Sequence, residues 1–284
     1  MKNVIVTGEK GKLSCKVANW LKLKGGFDVK QISLRGNDFE NADFNGIECI
    51  IHIAGVTPQN AKSETDYEEV NYSLTKRLAD KAKQSGVKQF VFISSMAVYG
   101  AEQNICGLKG MVNRDTALLP TSEYGKSKLK AEKYLQTIQN ADFLVSIIRV
   151  PSVFDKEKTE YIDQYKYLAE KLPVIPVAFT RNYKSFINSD NLCELIYLIV
   201  KKIYSGVVCP DDGKFSAFDI CRFIYPNKPK SKVLGKLIEL SMKNNSRIID
   251  YYGAIYYSEE LTNVFDGEYR IKNTFETIGT LYEK

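Results

Sequence analysis

At 284 residues the chain can hold one large α/β unit with a sizeable core, or two smaller units sharing a cleft. Its 44% apolar and 26% charged residues are those of an ordinary globular protein. With neither a signal-peptide pattern nor an apolar run of about 18 residues, a cytoplasmic location is expected. The six cysteines, Cys15, Cys49, Cys106, Cys193, Cys209 and Cys221, form no CxxC pair and only one histidine accompanies them, so neither a disulfide framework nor a metal is expected. A net charge of +6 suits an anionic ligand, but Lys and Arg are spread evenly along the chain, which argues against nucleic acid.

In chain order, the first half alternates short apolar runs with longer helical patterns, the rhythm of a parallel sheet wrapped by helices. Buried strands are predicted at Asn3 to Thr7, Val29 to Ser33, Ile47 to Ile53, Gln89 to Ser94 and Phe143 to Arg149, all rich in β-branched and aromatic residues. The stretch Glu69 to Ser85 carries Val70, Leu74, Leu78 and Ala82 at four-residue steps and closes at Gly86, the pattern of a helix with a glycine after its last turn. Ser122 to Gln136 reads as a second helix. After about residue 155 the elements shorten and Pro173, Pro176, Pro210, Pro226 and Pro229 punctuate them, as in a smaller substrate domain. The expected division is a dinucleotide-binding domain over 1–155, with 184–205 packing back onto it, and a substrate domain over 156–183 and 206–284.

The turn after the first strand reads Thr7-Gly8-Glu9-Lys10-Gly11-Lys12-Leu13-Ser14. Glycines there let backbone N–H groups approach a pyrophosphate at the positive end of the following helix. Ser14 stands where a third glycine is usual, which bears on close helix-to-strand packing. At the end of the second strand, Ser33 and Arg35 replace the acid that holds the ribose 2′-hydroxyl of NAD. A guanidinium with a nearby hydroxyl suits a 2′-phosphate, so NADP(H) is favoured and NAD(H) is the alternative.

The strongest site signal is Ser94-Ser95-Met96-Ala97-Val98-Tyr99-Gly100 followed by Tyr124-Gly125-Lys126-Ser127-Lys128. Tyr124 and Lys128 are four apart, so on a helix they share a face, and a cation near the phenol would lower its pKa from about 10. Ser95 ends a buried strand, where α/β folds place ligands, and can hydrogen-bond a carbonyl oxygen.

Together these residues resemble the extended short-chain dehydrogenase/reductase family, the nucleotide-sugar epimerases, dehydratases and reductases. The resemblance spans nearly the whole chain and includes His52-Ile53-Ala54-Gly55, Asn71 with Thr75, Arg149-Val150-Pro151-Ser152-Val153-Phe154, and the stretch Lys184 to Leu192. It implies a Rossmann doubly wound parallel sheet with helices on both faces and a smaller C-terminal α/β domain. It implies Ser95, Tyr124 and Lys128 as the catalytic triad. Gly8, Lys10, Gly11, Lys12, Leu13, Ser33, Arg35, Ala54, Gly55, Asn71 and Pro151 would surround the cofactor, with Met96, Ala97, Ser152 and Lys184 on the substrate. His52 is read as structural. Asp155 and Lys184 depart from the family's usual glycine and arginine, and the second bears on nucleotide-phosphate binding.

Dehydratases of this family carry Asp-Glu after the catalytic Ser or Thr; Met96-Ala97 supplies no ionisable group, so dehydration is disfavoured. The altered glycine turn and ribose-binding position suit a cofactor that comes and goes, which points to a reductase. The phrase Lys171 to Pro176 and the short C-terminal half resemble 4-keto reductases of bacterial capsule and O-antigen synthesis, which implies a UDP-linked 4-keto-6-deoxy-N-acetylhexosamine as substrate. The alternatives are a UDP-hexose 4-epimerase with tightly bound NAD and a cofactor-sensing protein without catalysis. The resemblance also implies a homodimer. Leu234, Leu237, Ile238 and Leu240 are read as core of the small domain in preference to a membrane-surface helix, although Lys228, Lys230, Lys232 and Lys236 lie close by.

Overall fold

The computed structural model describes residues 1–36, 38–100, 110–155, 160–242, 253–274 and Ile278; Cys106 lies outside them. In chain order the elements are β1 (Lys2–Thr7), α1 (Lys12–Lys24), β2 (Phe27–Ile32), α2 (Asp38–Asn41), β3 (Cys49–His52), a π-helical segment (Tyr67–Ser73), α3 (Leu74–Gln84), β4 (Gln89–Ser95), β5 (Met111–Val112), α4 (Glu123–Ile138) and β6 (Leu144–Val150). There follow β7 (Ser152–Phe154), α5 (Glu160–Lys171), β8 (Ile175–Pro176), β9 (Lys184–Asn188), α6 (Ser189–Lys201), β10 (Gly206–Val208), β11 (Gly213–Phe215), α7 (Ala217–Ile224), β12 (Lys230–Ser231), α8 (Lys232–Met242), β13 (Tyr256–Tyr257) and α9 (Glu259–Thr262).

These form two compact units. The first comprises Met1–Val98, Leu118–Val150 and Leu192–Val208. Its sheet is wholly parallel, in the order β10-β6-β4-β3-β1-β2. Both faces of its inner strands are covered, which is why β3 and β4 read as continuous apolar runs. Ile5, Ile50, Phe90, Phe92 and Ile147 pack on one face with Leu78 of α3 and Leu135 of α4. The other helices, α1 and α6, are joined by Glu194, which accepts from Trp20 Nε1 and Lys24 Nζ at 2.8 Å. The chain leaves β1 toward β2 on one side and β3 on the other, so the carboxyl ends of β1 and β3 are the point where strand order reverses and α/β sheets open a ligand crevice.

The predicted helix over Glu69 to Ser85 begins instead as a π-helical turn, Tyr67–Ser73, before α3. Apolar periodicity does not register the extra residue of such a turn, which is common at functional sites. Gly86 does end α3 in a left-handed conformation, φ +78°.

The second unit comprises Tyr99–Ala117, Pro151–Asn191 and Cys209–Lys284. A three-stranded sheet, β11-β9-β7, backs a core of Phe154, Ile162, Tyr165, Ile175, Phe186, Phe215 and Ile220. The sequence placed residues 184–205 with the dinucleotide-binding half. The structure gives 184–191 to the second unit, because β9 pairs with β7 and β11, and 99–117 likewise, because β5 pairs with β13. On α8 the expected core patch is only half realised: Leu234 and Ile238 are partly buried while Leu237 and Leu240 face outward. Among the described residues no helix is long and apolar enough to cross a membrane.

Candidate functional site

The glycine turn at the carboxyl end of β1 is held in shape by the residue that departs from the family pattern. Gly8 has φ +97°, a conformation that L side chains rarely adopt. Ser14 is 1% exposed, and its hydroxyl lies against the carbonyl oxygens of Gly8 and Gly11, 2.8 Å from the latter. The added hydroxymethyl group therefore bonds to the turn and does not prise it open. Gly11 caps α1 without a side chain, so no side chain competes for the first-turn N–H groups. Lys10 and Lys12 are exposed beside the turn, and Leu13 is half-buried.

Behind the turn runs a chain of hydrogen bonds centred on the single histidine. Thr75 Oγ1 donates to Asn71 O at 2.8 Å, so His52 Nε2 at 2.8 Å must donate to Thr75. His52 Nδ1 then accepts from Thr7 Oγ1 at 2.9 Å, and Thr7 Oγ1 accepts the N–H groups of Ile53 and Ala54, each at 3.1 Å. The imidazole is neutral: burial first, and the Lys128 charge second, push its pKa down to about 3. His52 thus fixes the loop after β3, as a structural residue would, and Thr7 belongs to the same clamp, which the sequence reading passed over.

Asn71 completes that loop. Its carboxamide accepts from Val56 N at 2.8 Å and donates to Val56 O at 3.0 Å and Ser127 Oγ at 3.2 Å, joining the π-helical segment to α4. A Cβ on Gly55 would stand 2.8 Å from Asn71 Oδ1 and 3.4 Å from Lys128 Nζ, so the backbone there lies directly over the lysine. A bare helix start, a glycine turn and a side-chain-free backbone above a buried ammonium are what a dinucleotide needs, and the residues present fit one.

Helix α4 positions the triad. Ser122 caps it by accepting from Gly125 N at 3.1 Å. A Cβ on Gly125 would come within 2.5 Å of Ala97 O, so glycine lets α4 lie against the segment after β4. Ser95 Oγ accepts the Ala97 N–H at 3.2 Å and hydrogen-bonds the Tyr124 side chain. Lys128 Nζ donates to Ile93 O at 3.0 Å, lies 4.8 Å over the Phe92 ring and is 6.0 Å from the Tyr124 ring centroid. Ser95, Tyr124 and Lys128 are therefore brought together.

Their electrostatics differ from the expectation of a cation-lowered phenol. Burial pushes Tyr124 up to about 12, against the opposing hydrogen bond from Ser95. The ammonium is itself desolvated, its pKa pushed down to about 8, and it is directed at a carbonyl instead of at the phenol oxygen. One turn further along α4 lies Glu132, 1% exposed, which the sequence reading missed although it continues the four-residue spacing from Tyr124 and Lys128. Its carboxylate accepts from Ser94 Oγ at 2.5 Å and from Arg149 Nε and Nη2 at 3.1 and 2.7 Å, tying α4 to the ends of β4 and β6.

At the end of β2, Arg35 is exposed and its N–H donates to Ser33 Oγ at 3.2 Å. Met96 is buried, leaving Ala97 as the more open of the pair. Pro151, Ser152 and Lys184 belong to the second unit, where Pro151 is buried, Ser152 opens β7 and Lys184, 4% exposed, opens β9. Among the described residues no cluster of three or more His, Cys, Asp or Glu side chains could hold a metal.

The profile of the NAD dependent epimerase/dehydratase family matches residues 9–208. A UDP-glucose 4-epimerase from Vibrio cholerae is 29% identical over 236 residues, spanning 75% of this chain and 71% of that protein. Two solved structures share the fold. UDP-N-acetylglucosamine 4-epimerase from Bacillus cereus has a TM-score of 0.72 at 17% identity over 99% of each chain. dTDP-4-dehydrorhamnose reductase from Yersinia enterocolitica has a TM-score of 0.64 at 21% identity, over 81% of this chain and 83% of that one. With the glycine turn, the serine after β4 and the Tyr124–Lys128 pair in one unit, the chain belongs to the NAD-dependent epimerase/dehydratase family.

Proposed function

We propose that this protein moves a proton and a hydride at C4 of a UDP-linked hexose, with Tyr124 transferring the proton. The observation that carries the reading is the relay Ala97 N–H to Ser95 Oγ to Tyr124 at the carboxyl end of β4, with Lys128 behind it. A bound nicotinamide supplies the hydride donor or acceptor. Gly8, Gly11 and the start of α1 would hold its pyrophosphate, and Lys128, under Gly55, would hold its ribose. Ser95, which in the chain alone donates to Tyr124, would turn its one proton to the oxygen at C4, so charge developing there meets a placed hydrogen bond. Tyr124, protonated at neutral pH in the chain alone, begins as the proton donor that a forming C4 alkoxide needs.

That protonation state supports net reduction of a 4-keto sugar, as does the absence of an acid at Ser33 and Arg35, which also keeps NADP(H) in the reading. The second reading is 4-epimerisation with retained NAD. The Vibrio cholerae relative favours it, and so does the closed turn around Ser14, which removes the looser cofactor site as an argument for reduction. In epimerisation Tyr124, as the phenolate, would take the C4 hydroxyl proton and give it back to the same oxygen, while the hydride would return to the opposite face of C4.

The test mixes purified protein with NADH or NADPH and UDP-2-acetamido-2,6-dideoxy-4-hexulose, and separately with UDP-glucose and UDP-N-acetylglucosamine. Cofactor oxidation matched by a new sugar assigns the reductase; hexose interconversion, with NAD released on denaturation, assigns the epimerase. Wild-type turnover by Tyr124→Phe on either substrate refutes both.

A further inference from the structure

Helix α8 of the second unit is pinned by one face and bare on the other. Its amino end follows β12, which pairs with β8, and Ser231 Oγ accepts the Leu234 N–H at 3.1 Å. A Cβ on Gly235 would stand 2.2 Å from Val177 O, so the helix backbone lies directly on the segment after β8. One turn on, Glu239 Oε1 accepts the Phe179 N–H at 2.6 Å. These contacts fix the helix's rotation. Val233, Leu237 and Leu240, at steps of four and three, fall within an arc of about 60° on the side away from Gly235. They are 74%, 58% and 61% exposed.

A stripe of large aliphatic side chains held in water costs free energy unless something covers it, and its neighbours indicate what does. Lys236 flanks the stripe on the same helix, Lys232 opens that helix and Lys230 precedes it; all three are exposed, and among the described residues none is in an ion pair. The only acid of α8 among its described side chains, Glu239, is turned inward to Phe179. A second copy docked face to face would set lysine against lysine, whereas phosphate headgroups would neutralise them. We propose that α8 is an interfacial helix that lays Val233, Leu237 and Leu240 into the surface of an anionic bilayer while Lys230, Lys232 and Lys236 contact its headgroups. The inference does not depend on which sugar reaction the first unit performs.

The test is co-sedimentation of the full chain with phosphatidylcholine vesicles, with and without phosphatidylglycerol. Protein should sediment only with the anionic vesicles and be released by salt. Each lysine near such a surface contributes about fivefold to binding, so Lys232→Gln with Lys236→Gln should weaken it about 25-fold. Leu237→Ser with Leu240→Ser should abolish it while leaving the melting temperature unchanged, because both side chains are already in water. Equal sedimentation on neutral vesicles, full binding by either variant, or no sedimentation overturns the proposal. So does a dimer in ultracentrifugation that dissociates in the leucine variant, since that assigns the stripe to a second copy.

Discussion

The His52 clamp predicts a steep acid dependence of stability. The imidazole, ordinarily near 6.5, is held at about 3 in the folded chain. On unfolding it takes up a proton at any pH below about 6.5, while the folded protein does not until about 3. The neutral form therefore contributes stability fully above pH 6.5, and that contribution is lost as pH falls toward 3. At 1.36 kcal/mol per pH unit, the loss approaches about 5 kcal/mol, a large share of the 5 to 15 kcal/mol typical of a folded domain. Because the chain has one histidine, its imidazole gives a single set of NMR signals. These should show the Nε2–H tautomer that the Thr75 and Thr7 bonds require and should not move between pH 8 and 5. Urea midpoints across the same range should fall for the wild type more steeply than for His52→Gln, whose amide bears no proton to titrate. An imidazole titrating near 6.5, or an Nδ1–H tautomer, refutes the clamp.

Tyr124→Phe should lower turnover by about 10²- to 10⁴-fold with an unchanged melting temperature, as removal of a proton donor does. Spectrophotometric titration of the cofactor-free chain should keep a tyrosine protonated up to pH of about 12 that is missing from this variant. Glu132→Ala should cost about 3 to 5 kcal/mol in urea denaturation, because it removes the carboxylate that balances the buried Arg149 guanidinium; pairing Glu132→Leu with Arg149→Met should recover most of that, and purely additive losses would show that the pair does not interact. Ser14→Ala removes the hydroxyl that closes the glycine turn and should weaken cofactor binding by about fivefold to tenfold in fluorescence titration, at about 1 kcal/mol per hydrogen bond.

The sheet and the pairing of Tyr124 with Lys128 were legible in the chain because both are periodic. A strand covered on two faces must be a short apolar run, and residues four apart on a helix must share a face. The π-helical turn, the ion pair beneath α4 and the allegiance of 184–191 were not, since each depends on a partner distant in sequence: Val56 for Asn71, Arg149 for Glu132, Phe215 for Lys184. The phenol's pKa went the opposite way to its sequence expectation for the same reason. Spacing shows that a lysine is near, and only the packed structure shows that its ammonium is directed at Ile93 O and that the phenol has lost its water. The amino-acid sequence by itself determined which residues could meet along each element; the tertiary structure decided which of them do, and in what dielectric, because burial and long-range partners arise only when the elements pack.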